Sequence, residues 1–150
     1  MEMERRLTIG RVALATGCKV QTIRYYEQIG LLRRPSRSEG NQRLYEKTDI
    51  ERLSFIRHAR ALGFPLDAIR DLLSLSDQPD QPCEAADAIV RSQLAEVTRR
   101  IAQLRSLKLE LERMIRQCAG GKISDCRVIE VLGNHALCRS ADHSQAVSAE

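Results

Sequence analysis

Apolar residues recur in an unbroken 4-3 alternation through the second half of the chain: Val90, Leu94, Val97, Ile101, Leu104, Leu111 and Ile115. Lys108 occupies one position of the series and Cys118 completes it. A repeat of 3.5 residues paints a narrow seam on one helix, and an isolated helix cannot bury that seam. The pattern therefore predicts a dimerisation helix over 83–118 that needs a partner helix. If the partner is a second copy running antiparallel, the start of one helix lies beside the end of the other.

The first half carries shorter periods. Leu7-Thr8-Ile9-Gly10 leads into a short helix through Ala15 that Thr8 can cap and Gly17 can stop. A second helix is expected from Val20 to Ile29, with Val20, Ile23 and Tyr26 inward. Two short helices three residues apart fit a helix-turn-helix. Turn formers from Ser38 to Asn41, flanked by short segments, read as a small β-hairpin or wing, with Leu44 inward. A helix follows from Asp49 to Leu62, its inward face Ile50, Leu53, Ile56, Ala59 and Leu62. Gly63-Phe64-Pro65 breaks it, and another helix runs from Pro65 to Leu75.

The expected fold is mainly α. A winged helix-turn-helix head (1–75) and a linker (76–82) precede an antiparallel coiled-coil helix (83–118). A metal-binding loop and short helix (119–134) and a flexible tail (135–150) complete it. Aromatic residues are 3% of the chain and Trp is absent, so the core must be aliphatic. No run approaches the ~20 apolar residues of a membrane span, and the N-terminus lacks a signal-peptide h-region. A cytoplasmic protein with no membrane partner is expected, and there five cysteines are thiols or metal ligands sooner than disulfides.

Charge separates the halves. Residues 1–75 hold 14 Lys+Arg against 9 Asp+Glu, whereas residues 76–150 hold 10 against 11. A basic head on a near-neutral arm suits a polyanion such as double-stranded DNA. Gln21, Thr22, Arg24 and Tyr25 lie on the second, recognition helix; Arg37, Arg43 and Tyr45 lie on the wing.

The cysteines supply the remaining chemistry. Cys118 and Cys126 flank a seven-residue loop whose paired glycines let it fold back, and Cys126 opens a short helix over Val128 to Leu132. In the antiparallel arrangement Cys83 of one chain approaches Cys118 and Cys126 of the other, a thiolate cage at each end of a homodimer. His135, Cys138 and His143 could extend that cage or form an auxiliary site. Cys18 stands apart from any second ligand and is read as structural.

The runs TIGRVALATGCKVQTIRYYEQIGLL, PSRSEGNQRLY and IERLSFIRHARALGFPLDAIRDLL resemble the MerR family of transcription regulators. The resemblance covers about residues 7–132, and Thr22-Ile23-Arg24-Tyr25-Tyr26-Glu27 is its most specific run. Arg11 departs from it, standing where the family usually has an acidic residue. The resemblance implies a dimer that bends and untwists promoter DNA for RNA polymerase on binding metal. It also implies that copper(I) sensors use a two-cysteine loop, while divalent sensors add a third cysteine where this chain has Cys83. Three donors suit Zn, Cd, Pb or Hg. The seven-residue spacing resembles the copper members, so Cu(I) is the alternative. Thiol-based sensing of oxidants or electrophiles through Cys118 and Cys126 is a further one. A cysteine-dependent enzyme is disfavoured, since no Cys-x-x-Cys is present and no strand framework is expected to hold a cleft.

Overall fold

The first helix, α1 (Ile9–Thr16), stops where the backbone turns left-handed: Gly17 has φ 67°. A computed structural model describes residues 6–118 and 120–138 of the chain. Helix α2 (Val20–Gln28) follows, then α3 (Lys47–Ala61) and α4 (Leu66–Ser76). Two arginines from the later helices hold the C-terminal ends of the earlier ones. Arg57 of α3 donates to the Thr16 carbonyl at 2.6 Å, and Arg70 of α4 donates to the Ile29 carbonyl at 2.6 Å. A cation at the negative end of a helix satisfies an orphan carbonyl and complements the dipole.

Three short strands form an antiparallel sheet in the order β1 (Leu7–Thr8), β3 (Arg43–Tyr45), β2 (Ser36–Arg37). The hairpin of β2 and β3 is the expected wing, paired Ser36 with Leu44 and Arg37 with Arg43. Strand β1 adds to its other edge through Leu7–Tyr45 and Thr8–Leu44. Thr8 also occupies the N-cap position of α1, but its side chain makes no capping bond. Helix α3 starts two residues earlier than expected because Glu46 and Asp49 form a reciprocal capping box. Arg33 locks that box from outside, 2.9 Å from Asp49 and 2.7 Å from Glu46.

The head core gathers Val12, Ile23, Leu31, Leu53, Ile56 and Ile69, all nearly solvent-free. Cys18 is half-buried against this core. Leu62, expected inward, is exposed because α3 ends at Ala61 and Leu62 sits at its C-cap.

Helix α5 runs from Glu84 to Gln117. The chain divides into two compact units, Met1–Ile89 and Val90–Glu150, and Ile89 packs against the head core. In the second unit a 3-10 turn (Ile123–Asp125) leads to α6 (Arg127–Gly133), whose Val131 is buried, as is Met114 of α5. The segment expected as a tail begins with another 3-10 turn, His135–Leu137. Arg113 ties it down by donating to the Leu137 carbonyl at 2.6 Å. Among the described residues no helix is long and apolar enough to cross a membrane.

Gly17→Ala should destabilise the head. A Cβ there would displace the Arg57 guanidinium and would have to adopt positive φ. The left-handed conformation alone costs about 1–2 kcal/mol, or roughly 5–10 °C of melting temperature for a unit of this size. Thermal denaturation reads this directly, and an unchanged melting temperature would refute the arginine-capped stop.

Candidate DNA interface and cysteine centre

On the head, α2 and the wing enclose a concavity of about 500 Å³ lined by Arg24, Glu27, Gln28, Arg34, Pro35, Arg37 and Arg43. Four guanidinium side chains among the described residues therefore border one notch; Arg24, Arg37 and Arg43 were expected from the sequence to contact DNA, and Arg34 was not. Gln21, Thr22 and Tyr25 line a second, shallower concavity of about 290 Å³ on α2. The expected DNA-contacting residues of α2 thus divide between the two hollows.

The register of the wing puts Arg37 directly opposite Arg43. Like charges facing each other across a strand pair are destabilising, and each arginine here has a local partner. Arg37 donates to the backbone and side-chain oxygens of Asn41 at 3.2 and 3.1 Å. Asn41 itself has φ 61° at the wing tip. Arg43 lies 3.2 Å from the carboxylate of Glu27, whose side chain is only 8% exposed.

Tyr45 corrects an expectation. It is not a surface residue of the wing but a core residue, 1% exposed, and its hydroxyl donates to Glu27. Alternation along β3 turns Arg43 and Tyr45 to the same side, so both converge on Glu27, and Leu44 is the half-buried one. Burial raises the Tyr45 phenol well above its ordinary value, and the Glu27 carboxylate adds to the effect. Sequence reasoning missed Glu27, Gln28 and Arg34. Helical spacing from Arg24 points to the first two, and the Arg33-Arg34 run beside the wing to the third.

The cysteines lie at helix boundaries. Cys83 precedes α5 and is exposed; Cys118 follows its last residue and is exposed; Cys126 is the N-cap residue of α6 and is half-buried. Gly120 and Gly121, at φ 74° and 100°, give the loop after Cys118 its reversal. All are free thiols. Among the described residues no three His, Cys, Asp or Glu side chains converge as a metal cluster. Cys118 and Cys126 thus flank one tight loop of a single chain. Of the auxiliary set, His135 is exposed and Cys138 half-buried, whereas His143 lies outside the described residues. Burial, and then the neighbouring Glu110 carboxylate, push the Cys138 thiol up, which favours its protonated form over a ligating thiolate.

The chain matches the family model described as MerR HTH family regulatory protein over residues 7–76, and the one described as MerR, DNA binding over residues 50–114. It is 42% identical to the HTH-type transcriptional regulator ZntR of Escherichia coli K12 across 83% of this chain and 90% of that protein. It belongs to the MerR family. A further MerR-family relative in these terms is the mercuric resistance operon regulatory protein of Shigella flexneri, 36% identical across 90% of this chain and 94% of that one. In structure, the transcription regulator PbrR691 from Ralstonia metallidurans CH34, in complex with lead(II), superposes with a TM-score of 0.75. It is 40% identical and spans 84% of this chain and 98% of its own. The winged helix-turn-helix followed by a long helix is therefore a MerR-family architecture as well as a reading of the sequence.

The buried phenol has a pH signature. A pKa raised in the folded state stabilises fully below the ordinary phenol value near 10 and is lost as pH rises toward the folded value. Melting temperatures from pH 7 to 11 should fall in the wild type above about pH 10. Tyr45→Phe should reduce that fall without removing it, since burial also raises Tyr26. Equal alkaline slopes in the two proteins would contradict the burial of Tyr45.

Proposed function

We propose that this chain is a cytoplasmic, homodimeric, metal-responsive activator of metal-resistance genes. It binds promoter DNA through α2 and the wing, with Gln21, Thr22, Arg24, Tyr25, Arg37 and Arg43 facing the duplex. Cys118, Cys126 and Cys83 of the partner subunit hold a divalent soft or borderline ion: Zn, Cd, Pb or Hg. The observation that carries the reading is the uncovered seam of α5. Val90, Leu94, Val97, Ile101, Leu104, Leu111 and Ile115 are all exposed in the single chain, which is what a helix awaiting its partner presents.

Helix length then explains the sharing of donors. A helix of 34 residues rises about 51 Å, so donors at its start and at its end belong to different ions unless a second chain intervenes. Antiparallel pairing supplies the missing thiol. The ion, when bound, joins three thiolates and so favours whichever dimer geometry brings them together. It must supply the differential free energy between two DNA conformations. Untwisting and bending a promoter costs a few kcal/mol, and RNA polymerase reads the result. The lead(II) complex of PbrR691, 40% identical, supports a divalent ion. The spacing of Cys118 and Cys126, with two donors in one chain, favours copper(I) as the second reading.

Two experiments test the two faces. Arg24→Ala and Arg37→Ala should each weaken operator binding and lower the salt slope by about 0.9 per lost phosphate contact. Unchanged affinity and slope in both would remove the assigned DNA face.

For the metal, Cys118→Ser or Cys126→Ser should abolish induction by any metal while operator binding persists. Cys83→Ser should selectively damage the response to Zn, Cd or Pb, because a divalent ion loses its third donor. Mixing Cys83→Ser with Cys118→Ser chains should restore one intact site per heterodimer. Full divalent induction in Cys83→Ser would instead promote the copper(I) reading.

A further inference from the structure

Among the described residues, Glu27 is the one acidic side chain lining the arginine notch, and it is almost fully buried. A carboxylate so placed costs stability unless its oxygens are used. Here both are used, and by the same strand: the Tyr45 hydroxyl donates to Oε1, and the Arg43 Nε lies 3.2 Å from Oε2. Glu27 belongs to α2, the helix that carries Arg24; Arg43 and Tyr45 belong to β3 of the wing. One side chain therefore ties the two DNA-facing elements together at a polar joint inside the site.

The joint leaves donors to spare. The Arg43 guanidinium pairs with Glu27 through Nε and retains 31% side-chain exposure, so the rest of its planar fork stays open to a further partner. The same contact offsets the repulsion of Arg43 by Arg37, its cross-strand neighbour. Without Glu27 the Arg43 cation would be free to follow any nearby phosphate.

We propose that Glu27 is a positioning residue that determines DNA specificity. Its carboxylate fixes the wing to the recognition helix and fixes Arg43 within the notch, so that the arginines accept a duplex backbone in one register. This rests on the DNA face assigned above. Glu27 restrains positive charge: it lowers affinity for arbitrary duplex and raises the ratio of operator to arbitrary binding.

The test uses the full-length protein and two duplexes, an operator selected from a randomised pool by the wild type and a scrambled sequence of equal composition. Affinities are measured by anisotropy across a salt series. Glu27→Gln retains an oxygen that can accept from Tyr45 but loses the charge that holds Arg43. It should bind the scrambled duplex more tightly, with a salt slope steeper by up to about 0.9, the value of one phosphate contact. The operator-to-scrambled ratio should fall about tenfold, a single well-made contact's worth of discrimination. In an Arg43→Gln background the same substitution should leave the slope unaltered.

A wild-type ratio and slope in Glu27→Gln overturns the proposal. So does a change of slope that persists undiminished in the Arg43→Gln background, because Glu27 would then act without Arg43. Should Glu27→Gln fail to fold cooperatively, Arg43→Lys carries the test. It keeps the charge and loses the planar fork, so the ratio should fall while scrambled affinity does not, and a wild-type ratio overturns the proposal. Arg24→Ala and Arg37→Ala on the same duplexes separate the two levels. If neither weakens binding, the DNA face falls and this proposal with it; if both do while Glu27→Gln matches the wild type, only the role of Glu27 falls.

Discussion

Seven apolar side chains stand exposed along one seam of α5, and the proposed molecule follows from what must cover them. Burying an aliphatic side chain fully is worth about 1.5–3 kcal/mol. Seven of them make a term on the order of 10 kcal/mol per chain, comparable to the whole stability of an ordinary domain. Lys108 interrupts the seam and pairs with Glu112 at 3.8 Å on the helix surface. A polar residue at a core position is a known means of fixing register at a cost in stability. Register matters here, because the antiparallel reading depends on which end meets which.

The head obeys a different economy. Its core is aliphatic and needs little explanation, but its polar joints are few and specific. Arg57 and Arg70 close the ends of α1 and α2, Arg33 closes the Glu46–Asp49 box, and Glu27 joins α2 to β3. Each places a charge against a helix end or an opposite charge. The outcome is a set of arginines already committed to structure and another set, Arg24, Arg34, Arg37 and Arg43, that borders the notch. Net charge alone does not distinguish the two. Basic residues become informative about DNA only once those serving as helix caps have been subtracted.

Much of this was legible in the sequence, because long periodic signals survive without tertiary context. The 4-3 seam from Val90 to Ile115 lies on α5, which runs Glu84–Gln117 against an expected 83–118, and Gly17 marked the stop of α1. The wing was visible in its turn residues, yet the inward face of β3 was assigned one residue out. Three residues are too few for a period of two to declare itself, and a slip of one exchanges the faces. Tyr45 consequently looked like a surface contact and Leu44 like core. Strand β1, two residues long, has no periodicity at all. The capping box at Glu46 and Asp49 escaped notice because it uses two acids instead of the usual Ser/Thr and Glu pair. Glu27 escaped because the oxygens of a buried carboxylate find their partners only when α2 and β3 meet. As for the cysteines, their residue types and boundary positions were legible, but three donors do not converge among the described residues.

The start of α5 belongs to the head, since Ile89 packs against the core that includes Ile69 and Leu73. That packing constrains how a signal could enter. Close-packed interiors respond to displacement by switching between arrangements and do not yield smoothly. Moving the first turns of α5 would therefore disturb the head core, and Arg70 of α4 separately holds the end of α2 at the Ile29 carbonyl. A packed core thus runs within the head from Ile89 to Ile23 and Tyr26 of α2. From there Glu27 extends it to the wing through Arg43 and Tyr45. An ion that favours one geometry of the coil acts on DNA only if each of these joints is stiff relative to the few kcal/mol that deforming the duplex demands. The buried carboxylate at the last joint is where that stiffness would have to be greatest, because the two elements proposed to face DNA meet there.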